Sequence, residues 1–278
     1  MNTIDLLVPQ LFDQKKLRDY LNYFHLSKSN IYKLELYRQV TSDNIIIKSD
    51  DLLSVGQSIS IQYEPELNTI AYQGEIEVLY EDDDLLIVNK PAYLLVHTDG
   101  QTIDTLTNRV QYYFQSKDME FDAYPVHRID YETSGMIIFA KHFLAQSYFS
   151  YLFEAQEIKK MYVCVCRNPF KEKEGIINQP IGKDRHTSKQ IISPTGKACE
   201  TRYQVIEEKE GLTKVLVEIK GGRKHQIRVH LASINHPIVG DKLYGVNDYK
   251  RMLLHFKHVE FIHPRTMELF VFTAKEPF

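Results

Sequence analysis

The chain has 278 residues, 43% hydrophobic content and a formal net charge of −3, enough for one large or two modest globular domains with a real core. No run of about 18 apolar residues occurs, so nothing reads as a membrane span, and the first residues, with Asp5 among them, lack the basic-then-apolar pattern of a signal peptide. Cys164, Cys166 and Cys199 form no Cys-x-x-Cys pair, which argues against a disulfide framework or zinc knuckle and for a reducing, cytoplasmic setting, while the mildly negative charge argues against coating nucleic acid through bulk positive charge and leaves a local basic patch open.

Lys16–Leu21 opens a helix-like stretch, and a short helix is predicted from Lys28 to Leu34 with Ser27 as N-cap. Ile45–Ile47 and Ser58–Ile61 look like short strands with Gly56 turning the chain between them. Glu64-Pro65-Glu66 reads as an exit and linker. The chain therefore divides near residues 65–75, into a small α/β domain over 1–68 and a larger one over 76–278. Glu77–Tyr80 and Leu85–Val88 are predicted strands joined by the acidic turn Glu81–Asp84. Helices are predicted over Thr105–Phe114 and Lys141–Glu157. Strand-like runs follow at Tyr162–Cys166, Thr201–Ile206, Lys214–Ile219 and Leu269–Thr273, rich in β-branched residues. Strands outnumber helices without alternating with them, which predicts α+β with a mixed, largely antiparallel sheet.

Three segments carry chemistry. His127-Arg128-Ile129-Asp130-Tyr131-Glu132-Thr133-Ser134-Gly135 is a polar loop feeding the apolar strand Met136–Phe139, the kind of loop that holds functional side chains on a rigid scaffold. Asp130 has the Arg128 cation beside it, and an ionised carboxylate is what a nucleophile or general base needs. The competing reading is a turn aspartate that caps the amides of Thr133 or Ser134. In Gly221–Leu231, positive charge and imidazoles cluster without an acid, which suits a phosphate site or a solvated basic face. On a strand Arg228 and His230 would share a face, and on a helix Lys224 and Arg228 would align. His236–Gly245 is a loop shaped by Pro237, Gly240 and Gly245. His225 and His230 are the nearest imidazole pair, but no carboxylate or cysteine follows at ligand spacing, so no metal site is expected.

Together these segments resemble the RluA-type family of pseudouridine synthases. His127–Gly135 matches the family signature His-Arg-Leu-Asp-x-x-Thr-Ser-Gly, with Ile129 in the Leu position. Gly222–Leu231 matches Gly-Arg-x-His-Gln-Ile-Arg-x-His-Leu. Asn89-Lys90-Pro91-Ala92, Val96-His97, Lys160-Met161-Tyr162, Lys197 and Thr201-Arg202-Tyr203 fit further family patterns, so the likeness runs from Ile76 to the end. Tyr93 departs from it, standing where the early motif usually has glycine. The first 65 or so residues look like a degenerate S-four-type RNA-binding domain, although residues 1–70 hold seven Lys and Arg against nine Asp and Glu, and a packing or protein-contact domain competes with that reading.

The resemblance implies a pseudouridine synthase fold with flanking helices and a central catalytic cleft. It implies a cofactor-free isomerisation of uridine in structured RNA, ribosomal (large subunit) or transfer. The bond from ribose to N1 breaks, the base turns, and C5 rejoins the ribose. Asp130 is then the essential carboxylate, Tyr162 stacks on the uracil, and Arg228 pairs with Asp130. Arg128 fills the gap left by the flipped base, and Lys90, Arg223, Lys224 and His127 contact RNA. A monomer is the default expectation, because the shared core needs no partner chain. Two alternatives compete: a non-catalytic RNA-binding or ribosome-assembly protein on the same fold, and a hydrolase, which would need a second carboxylate about 5 Å from Asp130, with Glu132 the nearest in sequence.

Overall fold

Alternation along Asn2–Leu7 buries Ile4 and Leu6 on one face and makes the first strand, β1. In the computed structural model, which describes residues 1–187 and 189–278, β1 is followed by α1 (Leu17–Tyr23), α2 (Lys28–Leu36), β2 (Val40–Ser42), β3 (Ile45–Ile46) and β4 (Ser58–Tyr63). The four strands pair in the order β1-β4-β2-β3. Ser27 caps α2 by accepting from the Asn30 amide at 3.1 Å. Phe12, Tyr20 and Phe24 pack as tilted and edge-on rings under this sheet.

The remainder runs β5 (Glu77–Glu81), β6 (Leu85–Lys90), α3 (Leu106–Ser116), β7 (Tyr124–Pro125), β8 (Ser134–Ala140), α4 (Phe143–Ala155), β9 (Lys159–Arg167), β10 (Glu174–Ile177), β11 (Ile181–Lys183), β12 (Gln190–Ile192), β13 (Glu200–Lys209), β14 (Leu212–Lys220), α5 (Gln226–Ser233), β15 (Leu254–Ile262) and β16 (Leu269–Thr273). Ten of these strands form one sheet in the order β10-β13-β14-β9-β15-β8-β6-β5, with β16 on β15 and β7 on β8. Every pairing among the described residues of this sheet is antiparallel except β15 with β8. The mixed, largely antiparallel α+β expectation is therefore met. Thr105 and His142 cap α3 and α4 with their side chains, which sets the helix starts one and two residues inside the predicted spans.

The parallel seam positions the site. Ser134 and Gly135, the first residues of β8, pair with His255 and Phe256 of β15, so the loop 127–133 is delivered directly onto the middle of the sheet. Gly135 is required there. Its φ is +125°, and a Cβ would lie 2.4 Å from the Phe256 carbonyl oxygen and 2.5 Å from its amide nitrogen. β8 is buried along its whole length, as expected of a central strand.

The two sheets share one continuous apolar cluster. Tyr23 and Phe24 meet Tyr148 of α4, and the His25 ring stacks on Tyr151 at 3.4 Å. Arg265 binds the Asp84 carboxylate through two nitrogens and also donates to the Asp5 carbonyl of β1. No helix among the described residues is long and apolar enough to cross a membrane.

Candidate active site

The loop before β8 is closed by a backbone turn in which the Thr133 amide donates to the Asp130 carbonyl at 3.1 Å. The main chain therefore makes the turn and the Asp130 carboxylate is spent on neither the Thr133 nor the Ser134 amide. It points into a cleft lined by Arg128, Thr133, Tyr162, Arg223, His225 and Arg228. Arg228 Nη1 donates to Asp130 Oδ2 at 3.2 Å and lies 3.7 Å from Glu132 Oε2.

Arg228 comes from α5, so the Gly222–Leu231 segment is a helix and not a strand. Both patterns fit its sequence because every residue from Gln226 to Leu231 is buried, which removes the periodic contrast that would separate them. Lys224 lies before the helix and does not align with Arg228. Gln226 shapes the entry. Its Oε1 accepts from the Gly222 and Arg223 amides at 3.0 Å each, and its Nε2 reaches the Glu200 and Lys220 carbonyls. His225, at φ +58°, turns its Nδ1 to the Tyr244 hydroxyl at 2.9 Å and its Nε2 to within 3.8 Å of Asp130 Oδ2.

The guanidinium of Arg228 is held from behind by Asp241, Nε to Oδ2 and Nη2 to Oδ1 at 2.8 Å each. Asp241 also accepts from the Leu243 and Tyr244 amides at 2.9 and 3.1 Å. Burial opposes Arg228's charge, but hydrogen bonding to Asp241 and the fields of Asp241, Asp130 and Glu132 more than offset it and raise its pKa. Burial opposes the Asp241 carboxylate too, and the Arg228 pair together with the two amides holds its pKa below the ordinary value. This bidentate, dry pairing fixes the one guanidinium nitrogen left over, and that nitrogen faces Asp130.

Tyr162 on β9 is almost wholly buried, with its ring stacked on Phe256 at 4.6 Å and 15°. Burial first, and the Asp130 carboxylate second, push its phenol well above the ordinary range, so it stays protonated. Arg128 is exposed at the cleft mouth. Arg223 donates to the Ala198 carbonyl, half-buried, while Lys224 is exposed.

Two expected RNA contacts lie elsewhere. Lys90 is fully buried, and its three donors go to the carbonyls of Pro91 (2.9 Å), Leu94 (2.8 Å) and Tyr131 (3.4 Å), leaving none for a phosphate. Burial drives its pKa down to about 7, against the partial opposition of Asp130. His127 accepts from the Ile138 amide at 3.2 Å and stacks on Phe153 at 4.5 Å, and burial lowers its pKa to about 3. It is a neutral brace for the loop, away from the cleft lining.

Asp241 and Tyr244 received no role from the sequence, His225 entered only as half of an imidazole pair, and Glu132 only as the nearest carboxylate for the hydrolase alternative. The first lies in a loop whose only legible feature was its Pro and Gly shape, and no local signal ties it to an arginine thirteen residues earlier. His225 and His230 face apart, since His230 bonds Thr201 Oγ1 and the Gln179 carbonyl. The one group of prospective metal-ligand atoms among the described residues is Asp82, Asp84 and His263. It is remote from the cleft, and its oxygens already take His142, Arg265 and His263 itself.

Residues 84–233 match the family described as RNA pseudouridylate synthase. An uncharacterized RNA pseudouridine synthase of Bacillus subtilis, YhcT, is 38% identical over 253 residues, covering 88% of this chain and 82% of that protein. The ribosomal large subunit pseudouridine synthase D of Vibrio cholerae is 30% identical, over 91% of this chain and 84% of its own. Among solved structures, human RNA pseudouridylate synthase domain containing 1 superposes with a TM-score of 0.63 at 25% identity, covering 78% of this chain and 87% of that one. The chain belongs to the RNA pseudouridine synthase family and is an isomerase that converts uridine in RNA to pseudouridine.

Proposed function

We propose that Asp130 is the carboxylate that carries out this isomerisation, that Arg228 orients it and Tyr162 receives the base, and that the substrate is a folded RNA, ribosomal large-subunit RNA before transfer RNA. The observation that carries the site assignment is the chain of contacts from Asp241 through Arg228 to Asp130, a carboxylate held at the foot of a cleft with an aromatic ring beside it. Asp130 in its ionised form serves either first step open to it, attack on the ribose C1′ or removal of a ribose proton. Either route ends with the N1–C1′ bond broken, a C5–C1′ bond made, the C5 proton released and N1 protonated, so no cofactor is consumed. The protonated Tyr162 ring offers a face for stacking and a hydroxyl for proton transfer. To reach Asp130 the base leaves its stack at a cost of about a few kcal/mol, and Arg128 at the mouth is placed to take its position with a planar cation.

The preference for large-subunit RNA rests on what the Vibrio cholerae relative is named for. The same proposal divides the chain into an accessory domain over 1–68 and a catalytic domain over 76–278, acting as a monomer in the cytoplasm. Arg223 and Lys224 contact the RNA backbone. RNA from a strain lacking the gene, incubated with the purified protein and mapped by carbodiimide-dependent primer-extension stops, tests the substrate. A new stop in large-subunit RNA supports it, and new stops confined to transfer RNA overturn the ribosomal assignment.

A further inference from the structure

Tyr93 has φ +66°, a left-handed backbone that a bulky L-residue occupies only when its surroundings insist. Two bonds insist. The Tyr93 amide donates to the Tyr131 carbonyl at 2.7 Å, and its hydroxyl donates to the Lys250 carbonyl at 2.8 Å. The result is that the Tyr93 ring stands edge-to-face against Tyr131, with centroids 5.6 Å apart and planes at 64°. Neither ring is packed away, at 39% and 46% exposure. Such rings on a strained but fully tied backbone contribute little to a core.

We propose that Tyr93 and Tyr131 form a stacking platform for the nucleobase next to the uridine being isomerised. The inference rests on the reading that RNA enters over the Asp130 loop. Tyr131 follows Asp130, so their Cα atoms are about 3.8 Å apart. Asp130 turns inward to Arg228 while Tyr131 turns out to the rim. A polynucleotide with one base drawn down to Asp130 carries its neighbours across that rim. The two rings line an open groove with Leu94, Leu95 and Arg109. Asp104 is paired with Arg109 at 2.7 and 2.9 Å, and Asp99 accepts from the amides of Gln101 and Thr102 through one oxygen, Oδ1. A groove of aromatic and aliphatic faces with its one cation already paired suits a flat base and not a phosphate.

The test uses a folded RNA fragment that the wild-type protein modifies, and the same fragment with an abasic nucleotide on either side of the target. The abasic change on one side is expected to raise the wild-type KM by roughly tenfold with kcat nearly unchanged, the size of one base–aromatic stack. Tyr131→Leu shows the same rise on intact RNA and no further rise on the abasic RNA, whereas Tyr131→Phe, which keeps the ring, behaves as wild type. Tyr93→Gly, which suits the φ, stays folded and also raises KM. A wild-type KM for Tyr131→Leu on intact RNA, or losses from the variant and the abasic site that multiply independently, overturns the platform. A wild-type protein that forms no pseudouridine in any RNA instead overturns the functional reading, and this inference with it.

Discussion

Replacing Asp241 by asparagine perturbs the site without touching the carboxylate proposed to react. In the native protein Asp241 takes both Nε and Nη2 of Arg228 at 2.8 Å in a fully buried setting. Asparagine keeps one acceptor and turns an amide N–H₂ toward a guanidinium N–H, donor against donor. Breaking a buried ion pair on one side costs about 3–5 kcal/mol, and the retained oxygen places Asp241→Asn near the lower end. At about 2–4 °C per kcal/mol for a chain of roughly this size, the melting temperature falls by roughly 6–12 °C. Activity falls further than stability at temperatures where the variant is folded, because Arg228 no longer presents Nη1 to Asp130 in one orientation. The pH dependence has a definite sign. The Asp241 pKa is depressed in the folded state, so its contribution is fully present above the unfolded value near 3.9 and decays as pH falls through the folded value. Asp241→Asn lacks that acid-side decay. Calorimetry between pH 3 and 8 with single-turnover rates at 25 °C checks both parts. A melting temperature within 2 °C of wild type together with an unchanged rate refutes the clamp.

Lys90→Met removes the buried ammonium. Since the Lys90 pKa falls to about 7 on folding, the unfolded chain binds more protons from about pH 7 to 10.5 and wild-type stability rises with pH there, at a slope approaching about 1.4 kcal/mol per pH unit; urea midpoints across that range should lose this component in the variant, which is also less stable because three carbonyls lose their donor. Gly135→Ala drives a methyl into the Phe256 backbone at 2.4–2.5 Å and should cost more than about 3 kcal/mol, read as a urea-midpoint shift or loss of soluble protein; a midpoint unchanged from wild type contradicts the seam geometry. Arg128→Ala should slow turnover of a structured RNA roughly tenfold or more while sparing a flexible oligonucleotide, because only the stacked base needs a replacement; equal losses on both would remove Arg128 from the flipping step.

How much of this was legible beforehand differs by element. The Asp130 loop stood out because a run of polar residues ends abruptly in Met136–Phe139, and β8 is buried on both faces as such a run requires. β1 carried a readable alternation at Ile4 and Leu6, and Pro9 just beyond it marks its end, but only two of its residues are buried, a short pattern to read alone. β15 was hidden by physics. A bulge between Phe256 and His258 breaks its period, and His255, Lys257 and His258 interrupt its apolar face. Its loss mattered, because β15 supplies the Phe256 ring under Tyr162 and the parallel partner of β8, the strand that the Asp130 loop feeds. Lys90 shows the limit of motif reading. Its position in the chain was found, but a lysine near RNA-facing motifs was given a phosphate when the fold spends it on three loop carbonyls. The Asp241 clamp is tertiary, since nothing local distinguishes this aspartate from a loop-capping one.

The most direct test of the central claim is Asp130→Asn in a single-turnover assay on an RNA the wild type modifies, with RNA affinity measured in parallel. The account predicts that pseudouridine formation falls below detection while the dissociation constant stays within roughly threefold, since the asparagine side chain keeps the shape and an acceptor for Arg228 but cannot serve as nucleophile or base. Turnover retained by Asp130→Asn, or affinity and turnover lost together, would contradict it.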